Sequence, residues 1–205
     1  MNPSLANVAD AVESGRLGLG DLLALRSALQ APFRLHPLGF VVCTLLTEGS
    51  RKLRLHYWPA AGRDRLSPEC QIHDHLFEFR SWVLAGTVEN IEYVVDPTGN
   101  EFAVYETSYS GNQSILTKTE AIVRLGEQRR IAYSAKSCYS VSAGVLHETV
   151  LRGEAPAFTV LFTHDVSCAA PLVFGPMLGE SSYVYDRAVV PEEEVDRMVA
   201  TLEAK

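Results

Sequence analysis

The sequence predicts a mainly β protein, an antiparallel sandwich or barrel flanked by helices. Three observations carry this. Apolar and polar residues alternate in many short runs between residues 40 and 162, turn-forming residues part those runs at regular spacing, and helical periodicity is confined to the two ends.

At the start, Val8, Val12, Leu17, Leu19, Leu22, Leu23, Leu25 and Leu29 recur at helical spacing in two short segments, parted by Ser14-Gly15-Arg16 and ended by Pro32. From Gly39 the rhythm becomes that of strands. Phe40 to Leu46 comes first, then Leu53-Arg54-Leu55-His56-Tyr57-Trp58, stopped by Pro59. A polar loop with Gly62, Pro68 and Cys70 leads to a histidine pair and a run from Phe79 to Ala85. Gly86 then marks a tight turn into Thr87 to Val95. Asp96-Pro97-Thr98-Gly99-Asn100 reads as a chain-reversing turn. Beyond it, Phe102 to Tyr109, Ser114 to Thr117, Glu120 to Leu125, Arg130 to Tyr133, Cys138 to Val141, His147 to Leu151 and Phe158 to Phe162 read as separate strands. Pro191-Glu192-Glu193-Glu194 opens a final helix running to about Leu202, with Pro in the first turn and acids at the positive end of the helix dipole.

The length of 205 residues, with 47% hydrophobic and 21% charged residues, is that of one domain with a substantial core. We read residues 1–35 as a helical cap, 36–170 as the β body and 171–205 as a tail with its helix. A net charge of −7 and no basic run argue against nucleic acid as a partner. No stretch reaches the roughly 20 apolar residues needed to span a bilayer, and the first 30 residues do not read as a signal peptide, so no membrane partner is expected. A soluble cytoplasmic protein is the expectation. Cys43, Cys70, Cys138 and Cys168 form no CxxC pair and read as reduced, mostly buried thiols.

The chemistry concentrates in Gln71-Ile72-His73-Asp74-His75-Leu76. On a strand the side-chain period is two, so His73 and His75 share a face and can share an ion. A third histidine, His147, closes Ser142-Ala143-Gly144-Val145-Leu146-His147. A neutral face of three imidazoles suits a borderline divalent ion such as Fe(II), Ni, Cu or Zn and leaves positions open for reactants. His36, His56 and His164 read as structural residues outside the site.

The order of these motifs resembles the cupin superfamily. His73, His75 and Gly86 match its first motif, and Gly144 with His147 its second, over roughly residues 40 to 165. The resemblance implies a double-stranded β-helix, a jelly-roll barrel with the three histidines in its mouth. A fourth ligand, a glutamate four or five residues after the second histidine, is usual there. Here Glu78 comes three after, and counting back from Gly86 puts Phe79 at that position. We keep Glu78 as a conditional fourth ligand. Either Glu78 and Arg80 face the pocket together, or Phe79 and Ser81 do. Ser67-Pro68-Glu69-Cys70-Gln71-Ile72-His73-Asp74-His75 is also similar to the cysteine dioxygenase-like three-histidine branch, with extra residues between.

The resemblance implies a metal-dependent enzyme, read as a non-haem iron dioxygenase acting with O2 on a small polar substrate such as a thiol, amino acid or hydroxy acid. The alternatives are a non-oxidative isomerase or lyase and a non-catalytic small-molecule binder. Arg80 is the candidate for an anionic substrate group and Tyr139 for a pocket hydroxyl. Glu148, Asp74 or a backbone carbonyl would hold the second imidazole nitrogens. A homodimer paired through barrel edges is the expected assembly.

Overall fold

The computed structural model describes residues 4–60 and 70–203. The helices α1 (Leu5–Glu13) and α2 (Leu19–Ala28) lead into strands β1 (Arg34–Leu35), β2 (Val41–Glu48), β3 (Arg51–Trp58), β4 (Ile72–His73), β5 (Phe77–Ala85) and β6 (Thr87–Ser110). There follow β7 (Gln113–Ser134), β8 (Cys138–Val141), β9 (Leu146–Leu151), β10 (Ala157–Asp165), β11 (Leu172–Gly175), β12 (Ser182–Asp186) and helix α3 (Glu192–Glu203). Gly62 and Ser67-Pro68-Glu69, which carried part of the loop and motif reading, lie outside the described residues. Among the described residues no helix is long and apolar enough to cross a membrane.

The strands form two antiparallel sheets, ordered β1-β2-β3-β10-β5-β8 and β11-β4-β9-β6-β7-β12. Within them β3 pairs with β10, β4 with β9, β5 with β8 and β6 with β7, each antiparallel. This is one long hairpin, tipped at the β6–β7 turn, rolled so that successive pairs fall in alternate sheets. That pairing defines a jelly-roll barrel, so the strand order itself confirms the fold class.

In the first sheet, Val41–Cys43 of β2 and Leu55–Trp58 of β3 are buried at successive residues, so these stretches are covered on both faces. Leu53, Leu55 and Tyr57 of β3, with Val41, Cys43 and Leu45 of β2, pack outward against Leu5, Val8 and Val12 of α1, Leu22 of α2, and Val195 and Met198 of α3. The alternate residues Val42, Trp58, Phe77, Phe79, Val83 and Leu161 turn inward with Tyr139, Val88 and Val141 to fill the barrel. The helices thus cover one sheet as a third layer. Arg26, itself buried, donates both terminal nitrogens to Glu192 and its Nε to the Ala31 carbonyl at 2.6 Å, tying α2 to the start of α3.

Three expectations are corrected. Asp96–Asn100 does not reverse the chain, because Val95 and Asn100 both face Leu125 and the residues between bulge out of a continuous β6. The turn chemistry was read correctly, since the Asp96 carboxylate accepts from the Thr98 backbone N–H at 2.8 Å and its hydroxyl at 2.7 Å, but the strand resumes in the same direction. The separate runs from Thr87 to Tyr133 are accordingly two long strands. Gly86 does not close a hairpin either: β5 and β6 lie in different sheets, and the turn passes the chain from one to the other. Finally, the tail is not only loop and helix, because β11 pairs with β4 and β6, and β12 with β7.

The Gly86 corner is tight. Its φ is +71°, and a Cβ there would meet the Pro156 carbonyl oxygen at 2.4 Å and Ala157 Cα at 2.7 Å. Gly86→Ala should therefore cost about 3 kcal/mol or more in urea denaturation. Gly153→Ala, at φ +89° with nothing within 4 Å, should cost about 1 kcal/mol. Equal costs would show that the corner is not packed as described.

Candidate metal centre

The site begins with a strand pair. β4 contributes His73 and β9 contributes His147, and antiparallel register places the two directly opposite each other. His75, two residues on, returns to the same face. The ring centroids are 4.7 Å apart for His73–His75, 4.7 Å for His73–His147 and 5.1 Å for His75–His147. One nitrogen from each ring falls within 4.8 Å of the others, close enough to ligate a common ion.

Two of the rings are held in the ligand-ready tautomer. His73 Nδ1 lies 2.8 Å from the Gln71 carbonyl oxygen and His147 Nδ1 3.0 Å from that of Val145. A carbonyl only accepts, so each Nδ1 carries the proton and each Nε2 presents a lone pair. Backbone carbonyls therefore take the role for which Glu148 and Asp74 were the other candidates. Glu148 accepts from the Tyr93 hydroxyl, and Asp74 Oδ1 from the Leu172 N–H at 2.6 Å. His75 is fixed by packing instead, its ring stacked on Phe77 with centroids 4.2 Å apart. Burial keeps the imidazolium forms unfavourable, lowering His73 and His75 below the usual histidine range and His147 to about 3. The set is neutral, as metal ligation requires.

The structure brings His73, His75, His147 and Tyr139 to the barrel interior. It does not bring Glu78 or Arg80. Phe79 lines the cavity, 5.9 Å from the His75 ring and 5.7 Å from that of His147 between centroids. By the two-residue period its neighbours Glu78 and Arg80 face outward. Glu78 is exposed, its Oε1 3.4 Å from His164 Nδ1. Arg80 is exposed too, bonded to Glu13 at 2.6 Å and lying over Trp82, so it cannot receive a substrate in the pocket. Tyr139 is buried, stacked on Tyr133 at 4.4 Å, and burial raises its phenol.

Inside the barrel is a cavity of about 50 Å³ lined by the three histidines, Tyr139, Thr149, Phe77 and Phe79, and also by His36, Arg54, His56 and Arg187. A second, of about 70 Å³, shares His36, Leu38, His73 and His75 with it and continues past Tyr109 and Tyr185. A single water occupies about 10–15 Å³ on this measure, so there is room for a small ligand. Sequence reasoning missed four polar residues of this wall. Arg54 was not singled out and His56 was read as a structural residue outside the site, yet both share the cavity-facing side of β3 with Trp58, whose place at the same parity was the available signal. His36 and Arg187 lie next to strands, outside any periodic run, and carried no signal.

Among known proteins, no family model matches the chain and no curated protein matches by sequence. Among solved structures it is similar to DMSP lyase DddQ from Ruegeria pomeroyi DSS-3, at 15% identity and a TM-score of 0.39, over 76% of this chain and 69% of that one. The fold assignment rests on the strand order described above.

His36 and His56 are held well below the ordinary histidine value by burial, and burial lowers the three of the site as well. The unfolded chain takes up protons as pH falls through about 6.5, while the folded protein does not until lower pH. Stability of the metal-free protein is thus fully present above that value and is lost as pH drops below it, by up to about 1.4 kcal/mol per histidine per pH unit. Urea denaturation at about pH 7.5 and 5.5 checks this, with His56→Asn flattening the slope. A pH-independent stability over that interval would contradict the burial described.

Proposed function

We propose that the protein is a metal-dependent cupin enzyme and, in finer terms, a non-haem Fe(II) dioxygenase using O2 on a small polar substrate such as a thiol, amino acid or hydroxy acid. The observation that supports this most is the three-imidazole face, with the Nε2 lone pairs of His73 and His147 freed by backbone carbonyls and Glu78 turned to the outside. Such a neutral set fits Fe(II), with Ni, Zn or Cu also accommodated. When bound, the ion would act as a template that brings substrate and O2 together.

The chain's own residues supply the rest. Phe77, Phe79, Val42 and Leu161 wall the cavity and exclude bulk water. The Tyr139 hydroxyl, kept protonated by burial, can donate a hydrogen bond to a bound substrate. Asp74 bonds the Leu172 N–H and anchors β11 beside the site. A cytoplasmic homodimer, paired through exposed strand edges, completes the reading.

Metal analysis of protein purified without a chelating tag should find about one divalent ion per chain. His75→Ala should reduce it to background, whereas Glu78→Ala should leave it unchanged. Metal retained by the His75 variant, or lost in the Glu78 variant, would count against the three-histidine set. An oxygen electrode with the iron-loaded protein and a panel of thiols, amino acids and hydroxy acids tests the finer reading. Turnover without oxygen uptake would replace the dioxygenase with a non-oxidative isomerase or lyase.

A further inference from the structure

The cavity holds two arginines that the metal does not explain. Arg54 comes from the inward face of β3, and Arg187 follows β12 in the tail. Arg187 is pinned on both sides. Its backbone N–H donates to the Asn112 carbonyl at 2.9 Å, and its carbonyl accepts from Arg34 Nη1 at 3.1 Å. Arg54 lies over Phe77, with its guanidinium carbon 4.8 Å from the ring centroid, and Phe77 in turn stacks on His75. The guanidinium is thus two ring contacts from the histidine triad.

Neither arginine forms a salt bridge with a described residue, although the chain has 25 acidic residues and a net charge of −7. Arg26, Arg80, Arg124, Arg129, Arg130 and Arg152 each hold a carboxylate. Asp165, the acid whose charge reaches Arg54, is bonded instead to Lys52 at 3.0 Å. The Nε atoms of both Arg54 and Arg187 are sealed from water and have no hydrogen-bond partner among the described residues, and the same holds for His56 Nε2 on the same wall. Burial and the mutual repulsion of the two cations lower Arg54, and burial lowers Arg187. Two partly desolvated cations facing one cavity with no carboxylate bonded to them among the described residues are costly, and a ligand carrying negative charge would compensate them.

We infer that Arg54 and Arg187 form the receptor for an oxyanion on the substrate, such as a carboxylate, sulfonate or phosphate, which bridges the two guanidiniums while the rest of a small molecule extends toward the three histidines. Guanidinium forks match the paired oxygens of such groups. The inference deepens the proposed enzyme reading and rests on it for the word substrate, but the anion site stands on its own geometry. It also moves the anion-binding role from Arg80, on the outer face of β5, to the barrel interior.

The test uses the full-length protein, metal-free and Zn(II)-loaded, titrated calorimetrically with acetate, sulfate and inorganic phosphate, with acetamide as the neutral counterpart of acetate. At least one oxyanion should bind saturably in both forms, and acetamide should not. Arg54→Met and Arg187→Met should each weaken that binding about tenfold or more, the loss expected for one charge-assisted hydrogen bond, while Arg80→Met should leave it unchanged. Because Met removes a buried unpaired charge, both variants should melt no lower than the parent in anion-free buffer. Failure of every oxyanion to bind, parental affinity in both Met variants, or a large loss of fold on Arg54→Met would each overturn the inference, the last by assigning Arg54 a structural role. Arg54→Lys, which keeps the charge but loses the fork, should bind with intermediate affinity. Metal content separates the two readings: Arg54→Met should keep its metal, and His75→Ala should lose metal yet still bind the oxyanion.

Discussion

The pairing of β4 with β9 is the constraint on which the site depends. It is short, a single opposed pair of His73 and His147, but it is one turn of a rolled hairpin whose other turns are long. β3 with β10 fixes the register on one side, and β5 with β8 followed by β6 with β7 fixes it on the other. A one-residue slip of β9 would turn His147 from the interior to the outer face and put Leu146 or Glu148 in its place. The precision of the triad is therefore paid for by strands remote from it, which is why a residue as far off as Gly86 belongs to the same argument. The corner it makes sends β6 into the second sheet, where β9 finds its partner.

A barrel interior with five imidazoles and two guanidiniums is an unusual use of buried volume. Apolar side chains would fill the same space at lower cost, and they do so at the far end of the barrel, around Val83, Val88 and Ala157. The polar residues gather instead toward one end, beside His36, Tyr109 and the tail. There the histidines manage burial by staying neutral and by engaging backbone: His73 and His147 donate to carbonyls, and His36 Nδ1 accepts from the Leu38 N–H at 3.3 Å. The arginines have no such recourse, since a guanidinium does not deprotonate in the physiological range. That difference makes the histidines readable as a metal face and the arginines as a demand for an anion.

How much of this the sequence revealed follows from which interactions are local. The HxH spacing projects both imidazoles to one side of a strand whatever the rest of the chain does, and the Gly144-to-His147 segment marks the return strand, so the triad was legible. Parity also made legible that Glu78 and Phe79 cannot both line the pocket. What parity leaves open is which set faces in, and the structure settles it because Phe79 packs among Phe77, Tyr139 and Leu161 while Glu78 reaches His164. The Asp96–Asn100 segment shows the opposite limit. Its hydrogen bonds are those of a local turn, but reversal or bulge is decided by whether β7 continues opposite both flanks, a non-local fact. Arg187 was invisible for the same reason. Tyr183 and Tyr185 beside it read most simply as packing residues, and only the pairing of β12 with the start of β7 carries it to the cavity.

The tail joins the covering layer to the cavity. After β12, the chain runs alongside β1: the Leu35 N–H donates to the Ala188 carbonyl at 2.9 Å, and the Val190 N–H to the Phe33 carbonyl at 2.9 Å. Two residues later α3 begins, clamped to α2 by Glu192 and Arg26. The segment that places Arg187 in the barrel is thus held by the sheet on one side and by the helical layer on the other. This arrangement ties the packing of the N-terminal helices to the position of a cavity guanidinium, without any residue of those helices lining the cavity. A scaffold held this firmly keeps two like charges in one small space, and the energy that would otherwise separate them is available to hold a ligand of opposite sign.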